Sequence, residues 1–190
     1  TTSIDAQGLY NYLFLHMVPA PGTVYEGIHK LPAGTLAEYR SGRLKIQRYW
    51  TPSFATAANG SFNALRQELH DALDAAVRRC KPDDSTGAFL SGGLDSSTVA
   101  GFLSRLQPGR ARTFSIGFGE EAYDELRFAR IAVNHFGCQS HEHETTPADI
   151  VRTFSRIASA YDEPFGNSSA VPTLLCAELA ARHGMTHLLA

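Results

Sequence analysis

Apolar residues are spaced differently in the two parts of this chain, and the change falls in the stretch 51–60. Before it, residues 8–16 predict a short helix. Two β-prone runs, 35–39 and 44–49, flank a Ser-Gly turn and predict a β-hairpin. The stretch 51–60 is small, polar and broken by proline and glycine, so it predicts a connector between domains.

After the connector, helical and strand patterns alternate. The predicted elements are helix 61–80, strand 87–90, helix 96–106, strand 112–118, a helix ending at Gly137, strand 140–144, a helix starting at Thr146, a helix running to Gly184, and strand 186–190. Strands separated by helices predict an α/β fold, in which a parallel sheet carries helices on both faces. A short, mostly β segment precedes it. Ligands of such sheets bind beyond the carboxyl ends of the strands.

Several of these helices have an apolar stripe that we expect to face a core. In the helix ending at Gly137 the stripe consists of Leu126, Ala129, Val133 and Phe136. In helix 61–80 the stripe consists of Phe62, Leu65, Leu69, Leu73 and Val77. In the helix starting at Thr146 it consists of Val151, Phe154, Ile157 and Ala158.

The amino-acid composition and net charge exclude several classes of function. The 190 residues are 43% hydrophobic and 19% charged, which is typical of a globular domain. The net charge is −2 and no basic run occurs, so we expect no nucleic-acid partner. No apolar stretch approaches the roughly 20 residues of a membrane span, so we expect no membrane partner. Without an initiator Met or a secretory signal, the sequence predicts a cytoplasmic chain that is an excised or processed piece.

Three cysteines, Cys80, Cys138 and Cys176, are far apart in the sequence. They form no Cys-x-x-Cys pair and are odd in number, which argues against a disulfide framework and against a zinc site. We expect them to be reduced, buried thiols.

The segment with the most chemical content follows the strand 87–90 and reads Ser91-Gly92-Gly93-Leu94-Asp95-Ser96-Ser97. Adjacent glycines leave backbone N–H groups open to an oxyanion, and the start of the next helix adds donors and a positive dipole end. Asp95 would repel phosphate unless a cation lies between them, so it indicates Mg²⁺. Gly93 occupies the position of the Walker lysine, which disfavours a kinase or GTPase. A Gly-Gly pair alone is also common in ordinary strand-to-helix turns.

This segment resembles the pyrophosphate-binding loop (PP-loop) of the N-type ATP pyrophosphatases, and that resemblance implies an adenine nucleotide alpha hydrolase-like fold. More narrowly, most of the chain resembles glutamine-hydrolysing asparagine synthetase. Three segments resemble the end of that family's glutaminase domain, namely 18–23, 28–34 and 48–50. Three others resemble landmarks of its synthetase domain, namely 114–118, 123–125 and 162–165.

The resemblance implies a division into two parts: 1–55 as the C-terminal remnant of a class II glutaminase domain plus linker, and 56–190 as the N-terminal part of the ATP pyrophosphatase domain. It implies ATP phosphates on residues 91–97 and Mg²⁺ at Asp95. The residues implied for the adenine side are Phe89, Leu90, Ile116 and Gly117. Those implied for substrate are Asp124, Asp162 and Glu163.

The implied reaction belongs to the full-length protein. ATP is cleaved to AMP and pyrophosphate, the side-chain carboxylate of aspartate is adenylated, and ammonia derived from glutamine attacks to give asparagine. The resemblance implies that this chain alone turns over little substrate, because the glutaminase cysteine and the later synthetase loops are missing. An exposed sheet edge would also favour a homodimer.

Other readings stay open. One alternative is a non-catalytic nucleotide-binding module. Another is an ATP pyrophosphatase with a different acceptor, such as a β-lactam-forming or peptide-cyclising synthetase. The acceptor is open because Gly166-Asn167 stands where relatives commonly have a carboxylate. Two weaker patterns are a dinucleotide fingerprint at 117–122 and a metal cluster at 141–144. The segment 141–144 does not complete a His-Glu-x-x-His motif, because Thr145 stands where the second histidine belongs. Its pattern is more typical of a solvated edge strand.

Overall fold

The computed structural model describes residues 3–54, 60–119 and 125–190. The chain divides into two compact units. The first comprises Thr1–Ala58 and Ala158–Ser168, and the second comprises Asn59–Ile157 and Ser169–Ala190.

Among the described residues before position 55, the first unit has a helix and a hairpin, as predicted. Helix α1 spans Ala6–Leu15 and is capped by Asp5, whose carboxylate accepts a 2.6 Å hydrogen bond from the N–H of Gly8. Strands β1 (Thr35–Arg40) and β2 (Arg43–Arg48) pair antiparallel. The two turn residues between them both have positive φ, which matches the twist of a tight two-residue hairpin.

The second unit is built on a four-stranded sheet in the order β5-β4-β3-β6. Its strands are β3 (Thr86–Phe89), β4 (Arg112–Gly117), β5 (Gln139–Glu144) and β6 (His187–Leu189). All three strand pairs are parallel. The parallel sheet predicted from the alternating pattern is therefore confirmed.

In the described part of the chain, five helices accompany this sheet. They are α2 (Phe62–Arg79), α3 (Leu94–Leu106), α4 (Leu126–Phe136), α5 (Pro147–Ala160) and α6 (Ala170–Arg182). Ser61 caps α2 by accepting a 3.3 Å hydrogen bond from the N–H of Ala64. Gly137 ends α4 with φ +67°, the left-handed conformation that favours glycine.

Helices cover both faces of the sheet, where two separate buried clusters lie. Successive strand residues face opposite sides of a sheet and so contribute to different clusters. On one face Ala88 and Leu90 pack in a buried cluster with residues of α3 and α4, including Leu103. On the other face Phe114 packs with residues of α6, including Leu179. The fold class is therefore α/β, as predicted. Within the described ranges, no helix is both long and apolar enough to cross a membrane.

The predicted buried stripes are wrong for parts of two helices. In α2, Val77 is buried, but Phe62 and Leu69 are 79% and 61% exposed. In α5, Val151 and Phe154 are 78% and 72% exposed, although these side chains share a face. Periodicity identifies a common face of a helix but does not say whether another element covers it.

The prediction of three buried cysteines is also wrong in part. Cys176 is buried, Cys138 is half-buried and Cys80 is exposed. Cys80 lies at the C-cap of α2, where the helix ends in solvent. All three are free thiols, as predicted.

Candidate functional site

A cavity of about 440 Å³ lies at the carboxyl ends of β3 and β4. Four of the residues predicted for nucleotide binding line it, namely Phe89, Leu90, Ser91 and Ile116. This is the edge of a parallel sheet at which ligands bind.

The loop from β3 to α3 leaves the sheet at this cavity. Leu90 extends the strand by one residue, because its N–H donates to the carbonyl of Phe114 at 2.9 Å. Gly92 then turns the chain with φ +87°. Helix α3 begins at Leu94. Its N-cap is Gly93, which has no side chain to accept hydrogen bonds from the first turn of the helix.

Several backbone N–H groups of this loop are open. The N–H of Ser91 donates to Oγ of Ser96 at 3.2 Å, and that of Gly93 donates to Oγ of Ser91 at 3.3 Å. The N–H of Ser97 donates to the carbonyl of Gly93 at 3.1 Å. Among the described residues, no acceptor is found for the N–H groups of the other four residues, Gly92, Leu94, Asp95 and Ser96. A helix start with unsatisfied donors of this kind binds anions.

Gly92 and Gly93 differ in whether the surrounding protein leaves room for a side chain. A Cβ on Gly92 would lie 2.5 Å from the backbone nitrogen of Ala129 and 2.6 Å from Cβ of Phe128, so the fold itself excludes a side chain there. A Cβ on Gly93 would meet only Oγ of Ser91, at 3.3 Å, and the φ of Gly93 is an ordinary −69°. Nothing within the described protein therefore demands glycine at position 93.

The loop hydroxyls are engaged with one another. Oγ of Ser91 and Oγ of Ser96 are 3.1 Å apart, and Ser96 also donates to the carbonyl of Gly93 at 3.3 Å. These hydrogen bonds between residues of the loop stabilise the turn. An entering anion would exchange with these weak, solvent-exposed bonds.

Asp95 lies exposed in the first turn of α3, beside the open N–H groups. The described residues contain no group of three or more His, Cys, Asp or Glu side chains that would hold a metal ion. A single carboxylate is a poor cage for a free cation, whereas Mg²⁺ commonly binds one or two carboxylates together with substrate phosphates.

Some backbone N–H and C=O groups at the cavity are already hydrogen-bonded within the protein and are not available to bond an adenine base. Both main-chain groups of Leu90 are used, since its N–H donates to Phe114 and its carbonyl accepts a 2.6 Å hydrogen bond from Oγ of Ser115. Gly117 ends β4, and its carbonyl accepts a 2.7 Å bond from the N–H of Thr145 on the β5 side.

Several cavity residues are absent from the sequence-based prediction. Phe114 and Cys176 both line the cavity, and the thiol of Cys176 donates to the carbonyl of Phe114 at 3.4 Å. Burial raises the pKa of this thiol to about 12. Thr173 contributes from the first turn of α6. Phe114 belongs to the 114–118 segment that resembles a synthetase landmark. No motif marks Cys176 or Thr173, which the packing of α6 brings to the cavity.

The three predicted substrate residues have different outcomes. Asp124 lies outside the described residues. Asp162 is exposed in the connection between α5 and α6. Glu163 is engaged by Lys30, whose Nζ lies 2.8 Å from Oε1.

The weaker patterns gain little from the structure. The segment 141–144 lies on β5, at the edge of the sheet, as predicted. Within it, Glu142 pairs with Arg130 at 2.7 Å and His143 lies 3.2 Å from Asp149, so these side chains have partners within the protein. The fingerprint at 117–122 ends in residues outside the described ranges.

Comparison with known proteins gives two family matches. Residues 1–50 match the glutamine amidotransferase domain, and residues 68–190 match asparagine synthase.

Named relatives agree with these matches. The chain is 32% identical over 187 residues to a Mycobacterium tuberculosis protein whose name places it among the glutamine-hydrolyzing asparagine synthetases, covering 96% of this chain and 28% of that protein. It is 26% identical over 182 residues to asparagine synthetase (glutamine-hydrolyzing) 1 of Bacillus subtilis, covering 95% of this chain and 28% of that protein. A carboxyethyl-arginine β-lactam synthase of Streptomyces clavuligerus is 33% identical over 119 residues, covering 61% and 22%.

The chain thus spans less than a third of the length of these relatives. The asparagine synthase match alone covers well over half of the chain, from residue 68 to residue 190. This chain therefore belongs to the asparagine synthase family.

Proposed function

We propose that this chain forms the ATP-binding part of an amide-forming ligase that makes asparagine. One observation carries the proposal above the others: four N–H groups at the β3–α3 loop have no acceptor among the described residues and lie next to an apolar cavity. That combination fits a molecule with an anionic end and a flat apolar end, and ATP is such a molecule.

The phosphates would bind the loop. Gly93 supports this because no described part of the protein needs a glycine there, whereas an anion approaching the helix start needs the space that a side chain would fill. The positive end of the α3 dipole favours a bound anion, by about 0.3 to 1 kcal/mol for an exposed charge.

The adenine would occupy the apolar cavity, with Ile116 as its backbone contact. Backbone groups of successive strand residues point to opposite neighbours. Because the carbonyl of Gly117 is bonded on the β5 side, the groups of Ile116 face the β3 side, beyond the last paired residue of that strand. Leu90 is unsuited to this task because its own groups are already bonded.

Asp95 fits a magnesium ion that arrives with the phosphates. Its carboxylate is exposed at the helix start, and the rest of the coordination would come from phosphate oxygens and water. Bound Mg²⁺ would neutralise phosphate charge. The loop residues then position the triphosphate and exclude alternative orientations.

The complete reaction is proposed for the full-length protein. ATP is cleaved to AMP and pyrophosphate as the side-chain carboxylate of aspartate is adenylated, and ammonia then displaces AMP. We propose that residues 1–55 belong to the glutaminase domain that supplies ammonia and that 56–190 begin the synthetase domain, with the cytoplasm as the site of action. The family matches and the names of the relatives support this division of labour.

Isothermal titration with MgATP tests the nucleotide site. Gly93→Val fills the space at the helix start, and we expect it to weaken binding by about tenfold or more, since hydrogen bonds to charged groups contribute about 1.5 to 3 kcal/mol each. Gly60→Val is the matched control, because a Cβ there meets side-chain atoms only at ordinary distances of 3.5 Å or more. Equal affinity of the Gly93→Val variant and the control would contradict the phosphate site.

A different acceptor is a second candidate, favoured by the similarity to a β-lactam synthase and by Gly166. A Cβ at Gly166 would lie 2.8 Å from Cβ of His16 and 3.1 Å from its Cα, so this position has no room for a side chain, a carboxylate included. Product analysis of the full-length protein with aspartate, ammonia and MgATP decides between the acceptors. Pyrophosphate release without asparagine formation would exclude aspartate.

A further inference from the structure

A second cavity, of about 300 Å³, lies among the helices on one face of the sheet. It is lined by residues from three helices of the second unit: His70 of α2, then Thr98, Gly101, Phe102 and Arg105 of α3, and Phe136 of α4. None of these six residues lines the cavity at the carboxyl ends of β3 and β4, which we call the nucleotide cavity. The volume is at the lower end of the range for small-molecule sites, so it suits a ligand with a single ring.

Aromatic rings form most of the lining of this second cavity. Phe102 is buried, and Phe136 is half-buried. A Cβ at Gly101 would lie 2.8 Å from Cζ of Phe136, so the ring of Phe136 lies directly on α3 because position 101 has no side chain. The imidazole of His70 lies beside Phe102, with the two ring centroids 4.9 Å apart. Such a lining suits a flat apolar group, because aromatic rings pack well against one another.

Arg105 brings a positive charge to this apolar surface. Its guanidinium lies over the ring of Phe102, with Cζ 5.6 Å from the ring centroid. Its Nη1 lies 2.9 Å from Nε2 of His70. A guanidinium only donates hydrogen bonds, so Nε2 accepts, and the imidazole is neutral with its proton on Nδ1. Nδ1 lies 3.7 Å from a carboxylate oxygen of Asp71, which agrees with that assignment.

The charge of Arg105 has no direct counter-ion in the described part of the chain. None of the ion pairs between described residues includes Arg105. Its charge helps to lower the pKa of Asp74, but the main cause is the hydrogen bond from Arg78, whose Nε donates to that carboxylate at 2.6 Å. The guanidinium therefore keeps donors that a carboxylate can accept.

The other hydroxyl-bearing residue of the cavity offers no donor. Oγ1 of Thr98 donates to the carbonyl of Leu94 at 2.7 Å, so its proton is used within α3. Arg105 is thus the group that would orient a ligand here, and it favours an anionic one.

We propose that this cavity binds a monocyclic aromatic carboxylate, with the ring against Phe102 and Phe136 and the carboxylate on the guanidinium of Arg105. A guanidinium binds a carboxylate through two parallel charged hydrogen bonds, which are stronger than its single bond to a neutral imidazole. The bond between Arg105 and His70 joins two exposed side chains, so a ligand displaces it at little cost.

Phenylacetate is the probe for this site. Titration of isotope-labelled protein, followed by amide chemical shifts, measures both the affinity and the location. We expect a dissociation constant of about 1 mM or lower, with the shifts centred on residues 98–105 and on Phe136. Phenylacetamide keeps the ring without the charge, and acetate keeps the charge without the ring. We expect each to bind about tenfold more weakly or worse, because each lacks one of the two contacts.

A substitution separates the charge from the apolar lining. Arg105→Met removes the guanidinium at an exposed position, and we expect it to weaken phenylacetate binding about tenfold. Its amide spectrum outside 98–105 shows whether the variant is folded. Arg79→Met, at an exposed arginine in the last turn of α2, is the matched control and should bind phenylacetate like the wild type.

Three results would overturn the proposal. Equal affinity of Arg105→Met and the control would show that the guanidinium does not hold the carboxylate. Acetate or phenylacetamide binding as tightly as phenylacetate would reduce the site to an anion site or to an apolar surface. Shifts centred on 91–97 and 173–176 would place the probe in the nucleotide cavity instead. Titration with MgATP is a separate test, because it concerns that other cavity.

Discussion

Gly92 lies against the backbone of Ala129. A Cβ at Gly92 would come within 2.5 Å of the nitrogen of Ala129, a separation that protein atoms do not adopt. The turn after β3 and the first part of α4 are therefore in backbone contact, which sets the position of the loop before any ligand arrives. Gly93, one residue later, has no such neighbour.

Substitution of these two glycines should separate folding from binding. Gly92→Ala forces a side chain into φ +87° and into α4, and we expect the free energy of unfolding to fall by about 2 to 5 kcal/mol. Gly93→Ala should change it by less than about 1 kcal/mol, because the conformation is ordinary and only a cap preference is lost. Urea unfolding measures both. Equal losses would show that Gly93 is needed for the fold.

The start of α5 is stabilised by reciprocal hydrogen bonds. Oγ1 of Thr146 accepts from the N–H of Asp149 at 3.2 Å, and the Asp149 carboxylate accepts from the N–H of Thr146 at 3.0 Å. We expect Thr146→Ala to lower the free energy of unfolding at pH 7 by about 1 kcal/mol, as is typical of a lost cap. Thr51→Ala, at an exposed threonine, is the control for urea unfolding.

This cap also predicts a pH dependence. The hydrogen bonds from Thr146, with that from Arg152 next, hold the pKa of Asp149 well below its ordinary value of 3.8. A depressed folded pKa contributes stability above the unfolded value, and that contribution is lost as the pH falls below it. Thr146→Ala keeps the backbone hydrogen bond and removes only the one from the side chain, so the pKa of Asp149 should stay below 3.8 in the variant but less so than in wild type. The stability difference should therefore narrow only in the acid range in which Asp149 of the variant takes up its proton before that of wild type. A constant difference over the whole acid range in which both proteins fold would contradict this role of Asp149.

The sequence predicted local features well because they depend on neighbouring residues. Ser61 and Gly137 mark helix ends by their own chemistry, and the structure confirms both. The stripe of α4 was also informative, since Ala129 is buried and Val133 packs against the same cluster.

Features that depend on distant residues could not be predicted in this way. The apolar residues of α5 recur with a helical period, yet Phe154 is exposed. Periodicity shows which residues share a helix face, but burial of that face also needs another element packed against it. The contact of Lys30 with Glu163 has no local signal, since 133 positions separate them. Nothing in the local sequence around Gly166 indicates a need for glycine. The need arises because His16 lies so close that a Cβ at position 166 would collide with it.

The three cysteines should differ in reactivity. The thiolate is the reactive form, and with a pKa of about 12 for Cys176 its thiolate fraction at pH 8 is roughly one in ten thousand. We expect iodoacetamide to modify Cys80 first, because it is exposed, and to leave Cys176 unmodified in the folded protein. Peptide mass spectrometry after timed labelling measures this, with a urea-unfolded sample as the control. Modification of Cys176 at the rate of Cys80 would contradict its burial.

His141 should make the fold sensitive to mild acid. Its ring stacks on Phe114 at 5.1 Å and lies 3.8 Å from the ring of His183, and its Nε2 is buried without a hydrogen-bond partner among the described residues. Burial is the main cause that lowers the pKa of His141 below its ordinary 6.5, and the charges of His183 and Arg112 add to it.

Because the folded pKa is lowered, the unfolded chain binds the proton more readily than the folded protein does. The stability associated with neutral His141 is therefore complete above pH 6.5 and is lost as the pH falls from there toward the folded pKa. We expect His141→Phe to lose less stability than wild type between pH 7.5 and pH 5.5, since phenylalanine preserves the stack and does not titrate. His29→Phe, at an exposed histidine, should follow the wild type in the same urea experiments. A His141→Phe variant with the acid sensitivity of wild type would show that this half-buried ring does not control it.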